Sequence, residues 1–153
     1  MNKIFRPSQL TPYEADYAQW CAEQGALLRE GRLDLLDREN LAEEIESLGR
    51  SQEDEIESRV GVLLTHLLKW RFQPGQRSNS WKATLLEQRK RIARRIRQNP
   101  SLRGYPEQVL ADEYEVARLA AAGDTGHALE TFPDACPFTI EQILDATWLP
   151  EAE

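Results

Sequence analysis

The chain has 153 residues, 41% of them hydrophobic and 29% charged, and its 26 acidic against 19 Lys and Arg side chains leave a formal net charge of −7. That length fits one domain, long enough to hide about 68–70% of the unfolded chain's surface. The acidic balance argues against general attraction to nucleic acid or anionic membranes, no apolar run approaches the ~18 residues of a membrane span, and two cysteines are too few for a disulfide framework. The opening residues, Met1 to Arg6, lack the apolar core of a secretory signal. A reducing cytoplasm is the natural setting, with Cys21 and Cys136 free and structural.

Strand signals are nearly absent, and helix signals follow one another along the chain. Thr11-Pro12-Tyr13-Glu14 reads as a helix start, with Thr11 as cap and Glu14 completing a capping box. Tyr13, Tyr17, Trp20, Leu27 and Leu28 continue it at helical spacing until Gly31. Asp34 or Asp37 caps the next helix, whose apolar stripe is Leu41, Ile45, Leu48, Ile56, Val60, Leu63, Leu64, Leu67 and Leu68. Gly49, Gln52 and Glu53 interrupt that stripe. Either Gly49 ends a helix and Ser51 caps another, or one helix continues from about residue 38 to 72 at a cost of ~1 kcal/mol for the glycine. The unbroken period favours the continuous helix.

Gln73-Pro74-Gly75-Gln76 is the clearest turn. Ser78 or Ser80 caps the third helix, with Trp81, Leu85, Gln88, Ile92 and Ile96 on its inner face, and Pro100 ends it. Tyr105-Pro106 opens a fourth helix that decays into Ala120-Ala121-Ala122-Gly123. Residues Thr131 to Pro137 read as a rigid connector, and Thr139-Ile140-Glu141-Gln142 is a second capping box that opens a short last helix. The expected fold is a single all-α domain spanning residues 1–153, ordered over about 11–148. It is a bundle of about five helices around a long antiparallel hairpin.

Charge comes in blocks of alternating sign. Asp34 to Glu57 holds ten acids and two bases, His66 to Arg97 ten Lys or Arg and one acid, and Gln98 onward eleven acids and two bases. A tight turn at Pro74-Gly75 makes the second and third helices antiparallel, so Arg94, Arg95 and Arg97 fall opposite Glu53, Asp54 and Glu57. Glu53, in the apolar phase, is the acid expected to be partly buried against an arginine. The second helix is the longer one, so Glu39, Glu43, Glu44 and Glu46 overhang the basic helix without an evident internal counterpart.

Three groups carry candidate chemistry. Glu39, Glu43 and Glu46 share one helix face and could hold a hard cation such as Mg²⁺; Glu43-x-x-Glu46 with Asp54-x-x-Glu57 loosely resembles the paired acids of all-α nucleotide pyrophosphohydrolases, though a solvated acid-rich helix start explains it as well. The basic run from Arg89 to Arg97 leaves Lys90, Arg94 and Arg97 available to phosphates, but no nucleic-acid motif accompanies it and neighbouring acids lower its potential. Around the turn lie His66, Lys69, Trp70, Arg77, Ser80 and Trp81. Helix-start N–H groups beside Arg77 could hold an anion, and His66 could serve Ser80 as a base. The packing alternative has the tryptophans closing the bundle end and Arg77 capping the carbonyls of the second helix. No metal site follows from two histidines and two separated cysteines, and no cofactor motif is present.

Tyr13-Glu-Ala-Asp-Tyr-Ala-Gln-Trp20, Glu39-Asn-Leu-Ala-Glu-Glu-Ile-Glu-Ser-Leu-Gly49, His66-Leu-Leu-Lys-Trp70, Arg77-x-x-Ser80-Trp81, Pro100-Ser-Leu102 and Phe132-Pro-x-x-Cys136-Pro resemble, in order and over nearly the whole chain, domain of unknown function family 29. The resemblance implies a small, stand-alone helical bacterial protein and supplies no reaction, cofactor or catalytic residue. The expected function is a cytoplasmic helical interaction module, with a protein partner or a second copy of itself. A Mg²⁺-dependent nucleotide hydrolase and nucleic-acid or anion binding through the third helix are the alternatives. No enzymatic signature of high specificity is present, nucleic acid is not the expected partner, and no membrane association is expected.

Overall fold

A computed structural model describes residues 9–151; the opening segment read above for a secretory signal lies outside them. The described residues form five α-helices joined by short 3₁₀ turns, with no strand among them. The helices are α1 (Tyr17–Arg29), α2 (Arg38–Phe72), α3 (Asn79–Gln98), α4 (Tyr105–Thr125) and α5 (Ile140–Leu144). The all-α expectation therefore holds, and α2 runs unbroken through Gly49 for 35 residues. Two compact units divide the chain, one ending at Arg50 and one beginning at Ser51, and α2 contributes to both.

In the first unit, α1 starts at Tyr17, five residues later than the expected first-turn Pro12. Asp16 is the cap, its carboxylate accepting from the Gln19 amide at 3.0 Å. Thr11 is occupied elsewhere: its amide and hydroxyl both donate to the buried carboxylate of Glu23, at 2.8 and 3.0 Å. A contact twelve residues away outcompetes the local capping box. The end of α1 is as expected. Gly31 sits at φ +71°, the Gly31 amide reaches Leu28 O and the Arg32 amide reaches Leu27 O, the two bonds of a Schellman motif that needs a left-handed residue. Asp37, not Asp34, caps α2 through the Asn40 amide at 3.4 Å. Trp20 and Leu27 are buried, whereas Ile45 and Leu48, expected on the buried stripe, are 64% and 67% exposed.

In the second unit, Ile56, Val60, Leu63, Leu64, Leu67 and Leu68 of α2 are fully buried with Leu85, Ile92, Tyr114, Ala117, Phe132 and Ile143. Ser78, not Ser80, caps α3, accepting from the Trp81 amide at 3.2 Å. The hairpin register is within a turn of expectation: Arg95 pairs with Glu55 and donates to Gln52, Asn99 reaches Gln52, and Arg59 reaches Gln88. The acid chosen differs from expectation. Glu55 meets both Arg95 and Arg59, while Arg94 and Arg97 are exposed. Around the core stripe of α2, α3 covers the flank of Gln52, Glu55 and Arg59, and α4 covers the opposite flank. Glu57 consequently accepts from Tyr105 of the fourth helix's first turn at 3.2 Å. The fourth helix does not fade at its small residues: it runs through them to Thr125 and stops on Gly126, at φ +71°. The connector that follows is fastened to α4, with Tyr114 Oη donating to Pro133 O and Arg118 bonding Phe132 O at 3.0 Å and Asp134 at 2.9 Å. The capping box of Thr139 and Gln142 forms as read.

Candidate functional site

Three of the overhanging acids, Glu43, Glu44 and Glu46, have internal partners that their spacing alone did not reveal. Glu44 accepts from the hydroxyls of Tyr13 and Tyr17, the latter at 2.7 Å. Those bonds, that of Tyr13 first, hold the Glu44 carboxyl below its usual range and push both phenols up. The two tyrosines and Trp20 form one aromatic cluster, with Tyr13 edge-on to Trp20 at 4.9 Å. Trp20 Nε1 in turn donates to Asp37 at 3.0 Å. Glu43 meets Arg50 at 3.1 Å and Glu46 meets it at 4.0 Å, both pairs on the surface. Glu39 is exposed. This corrects the expectation of no internal counterpart for Glu43, Glu44 and Glu46, but not for Glu39. Among the described residues, no three His, Cys, Asp or Glu side chains come together in a way that could hold a metal ion.

At the turn, the side chains pack and cap. Arg77 Nε donates to Trp70 O at 2.8 Å, and its guanidinium lies 4.9 Å from the centre of the Trp70 ring. That cation sits at the carbonyl end of α2, where the helix dipole favours positive charge. Lys69 Nζ lies 4.9 Å over the Trp81 ring and 3.4 Å from Asp124 of α4. His66 Nδ1 faces Val62 O at 3.0 Å, and burial pulls the pKa of the ring down. Ser80 is exposed, and its carbonyl accepts from Thr84. His66 is thus engaged by its own helix, and the residue lines a groove.

That groove is the feature the sequence reading missed. It lies between α2 and α4, holds about 290 Å³, and is lined by Ser58, Gly61, Val62, Thr65, His66, Glu113, Val116 and Ala117. Gly61 is what seats its one carboxylate: a Cβ there would lie 2.7 Å from Glu113 Oε2. Thr65 Oγ1 is turned to Gly61 O at 2.9 Å. Burial first, then Glu57 and Asp112, push the Glu113 carboxyl above its ordinary value. A glycine inside an apolar helical run was the available signal, and its meaning depended on which helix packs there.

Arg89 is the other unread residue. It is 4% exposed, the most buried arginine of the basic run, and its guanidinium donates to Ile143 O at 2.8 Å, Trp148 O at 2.9 Å and Gln142 O at 3.3 Å. Arg91 pairs with Glu87 at 3.0 Å, and Lys90, Arg94 and Arg97 are exposed. The thiols also separate: Cys136 is half-buried, with burial pushing its pKa up, whereas Cys21, read as structural, is exposed. Among the described residues, no helix is long and apolar enough to cross a membrane.

The fold and these sites define an all-α protein whose polar clusters are used mainly to fasten helices. The chain belongs to the family of the domain of unknown function DUF29, whose model matches residues 12–149, nearly the whole chain. No curated protein and no solved structure matches it.

Proposed function

We propose that the protein is a cytoplasmic helical interaction module that works through helix faces rather than by catalysis, with a second copy of the chain as its partner. The observation that carries this reading is the surface of α2 in the first unit. Ile45 and Leu48, one turn apart, are 64% and 67% exposed. Gly49 lies beside them, with nothing among the described residues within 4 Å of where its Cβ would be. Apolar side chains next to a missing Cβ let another helix approach closely, and adjoining exposed apolar groups mark contact surfaces more often than scattered ones do. Covering each of these side chains contributes about 1.5–3 kcal/mol.

Light scattering on the full chain over a range of concentrations tests the reading. A dimer or larger closed oligomer is expected, and I45D with L48D should convert it to monomer while leaving the helical circular dichroism intact. A strict monomer at every concentration, or an oligomer indifferent to both substitutions, removes the proposal.

A further inference from the structure

The groove between α2 and α4 lies wholly within the second unit and shares no residue with the α2 surface just described. Its walls are Val62, Val116 and Ala117, with Val62 39% and Val116 62% exposed at the rim. Leu119, on the same helix as Val116, is 58% exposed. The polar groups are unequal. Thr65 is turned to Gly61 O and His66 to Val62 O. Glu113 is the carboxylate of the groove, half-buried against α2 at Gly61, with Glu57 and Asp112 adding negative charge nearby. A carboxylate in such surroundings is stabilised by a cation that reaches it without bringing much water.

We propose that this groove is a docking site for a lysine side chain of a partner protein, its methylenes lying on Val62, Val116 and Ala117 and its ammonium on the Glu113 carboxylate. The shape of the charge selects lysine over arginine. An ammonium is a compact point charge on a four-carbon apolar stem, which a single carboxylate at the end of an apolar groove can satisfy. A guanidinium presents five donors in a fork, and one carboxylate with the Ser58 hydroxyl leaves too many of them unpaired. The openness of the groove to solvent along Val62 and Val116 suits a side chain carried by a larger surface. Gly61 is the residue that makes the site possible, because any Cβ at that position moves the carboxylate.

The test uses the full chain and a capped helical peptide with one lysine flanked by leucines, against the same peptide with norleucine in place of lysine. The lysine peptide should bind about tenfold tighter or better, the scale of one charge-assisted bond. Amide shifts should centre on Ser58, Gly61 and Ala117. E113Q should abolish the preference. G61A, which keeps the charge but displaces the carboxylate, should weaken it as well, with both variants checked for an unchanged helical spectrum. Equal binding of the two peptides, or a lysine preference that survives E113Q or is indifferent to G61A, overturns the proposal. Binding of n-butylammonium as tight as that of the lysine peptide overturns the protein source and leaves a free amine. The oligomeric state of I45D and L48D is read separately, so either proposal can fail alone.

Discussion

Replacing Arg89 by Met is the perturbation whose outcome the structure constrains best. The guanidinium is 4% exposed and donates to three main-chain carbonyls, those of Gln142, Ile143 and Trp148. Each bond from a charged donor contributes about 1.5–3 kcal/mol, and removing the donor strands Ile143 O and Trp148 O, while Gln142 O keeps the Asp145 amide at 3.3 Å. Opposing this, an apolar side chain of similar volume avoids the desolvation of a buried cation, several kcal/mol in itself. The difference leaves a net loss of about 2–4 kcal/mol, large against a total stability of about 5–15 kcal/mol. At this chain length that lowers Tm by roughly 5–15 °C. R89K keeps the charge but reaches fewer carbonyls and should fall between. Urea unfolding followed by circular dichroism gives the global value. Hydrogen exchange over residues 140–149 should show that segment opening first, because Arg89 is what fastens it. A loss below about 0.5 kcal/mol for R89M, or unchanged exchange there, would refute the reasoning.

The other predictions concern single residues of α2, its cap and α4. G49A should stabilise the monomer by up to about 1 kcal/mol in thermal melts, since the helix is continuous and the added Cβ meets nothing among the described residues within 4 Å, while weakening the proposed self-association. D37A should cost about 1–3 kcal/mol by removing an N-cap together with the acceptor of Trp20 Nε1 at 3.0 Å and of Asn40 Nδ2 at 2.8 Å, and D37N should recover part of it. Glu113 predicts a pH dependence of definite sign. Its folded pKa lies above the ordinary 4.5, so the folded state holds a proton that the unfolded chain releases, and the contribution is present below 4.5 and lost as pH rises through the folded value. E113Q should therefore melt higher than the parent chain at pH 7 and alongside it at pH 4; equal differences at both would contradict the assignment.

What the sequence made legible was local chemistry. Gly31, Ser78 with Pro74-Gly75 before it, and the Thr139 capping box each act on their own neighbours, and each does what its residue type requires. Thr11 failed as a cap because Glu23 claims it from twelve residues away. Glu53 failed as the arginine's partner because the stripe of α2 has two flanks, and spacing alone does not say which helix takes which. Arg89 was readable in part: it falls between Leu85 and Ile92 at core spacing, so a charged residue in that phase signals a buried donor looking for carbonyls. Its acceptors, more than fifty residues on, were not readable. The candidate site was the least legible, because Glu113 acquires its character mainly from burial against α2, with Glu57 and Asp112 adding to it.

Two glycines of α2 sharpen where function should be sought. A helix interior pays about 1 kcal/mol for Gly in place of Ala. At Gly61 an added Cβ would lie 2.7 Å from Glu113 Oε2, the far end of a flexible side chain that can move aside. That carboxylate is pushed toward its protonated form by burial and by Glu57 and Asp112, so the arrangement does not favour stability at neutral pH. At Gly49 nothing among the described residues lies within 4 Å of the missing Cβ. Packing explains the glycine at neither place as a gain in stability. The two proposed contacts would account for both: at Gly49 a helix that comes close, at Gly61 a cation that makes the carboxylate favourable. The sign-changing charge of the chain points the same way, because Glu55 with Arg59 and Arg95, and Lys69 with Asp124, settle only part of it within the molecule, while Glu39, Lys90, Arg94 and Arg97 stay on the surface. Exposed charges of both signs contribute little to folding, about 0–1 kcal/mol per pair, but they set the rate and orientation with which surfaces meet.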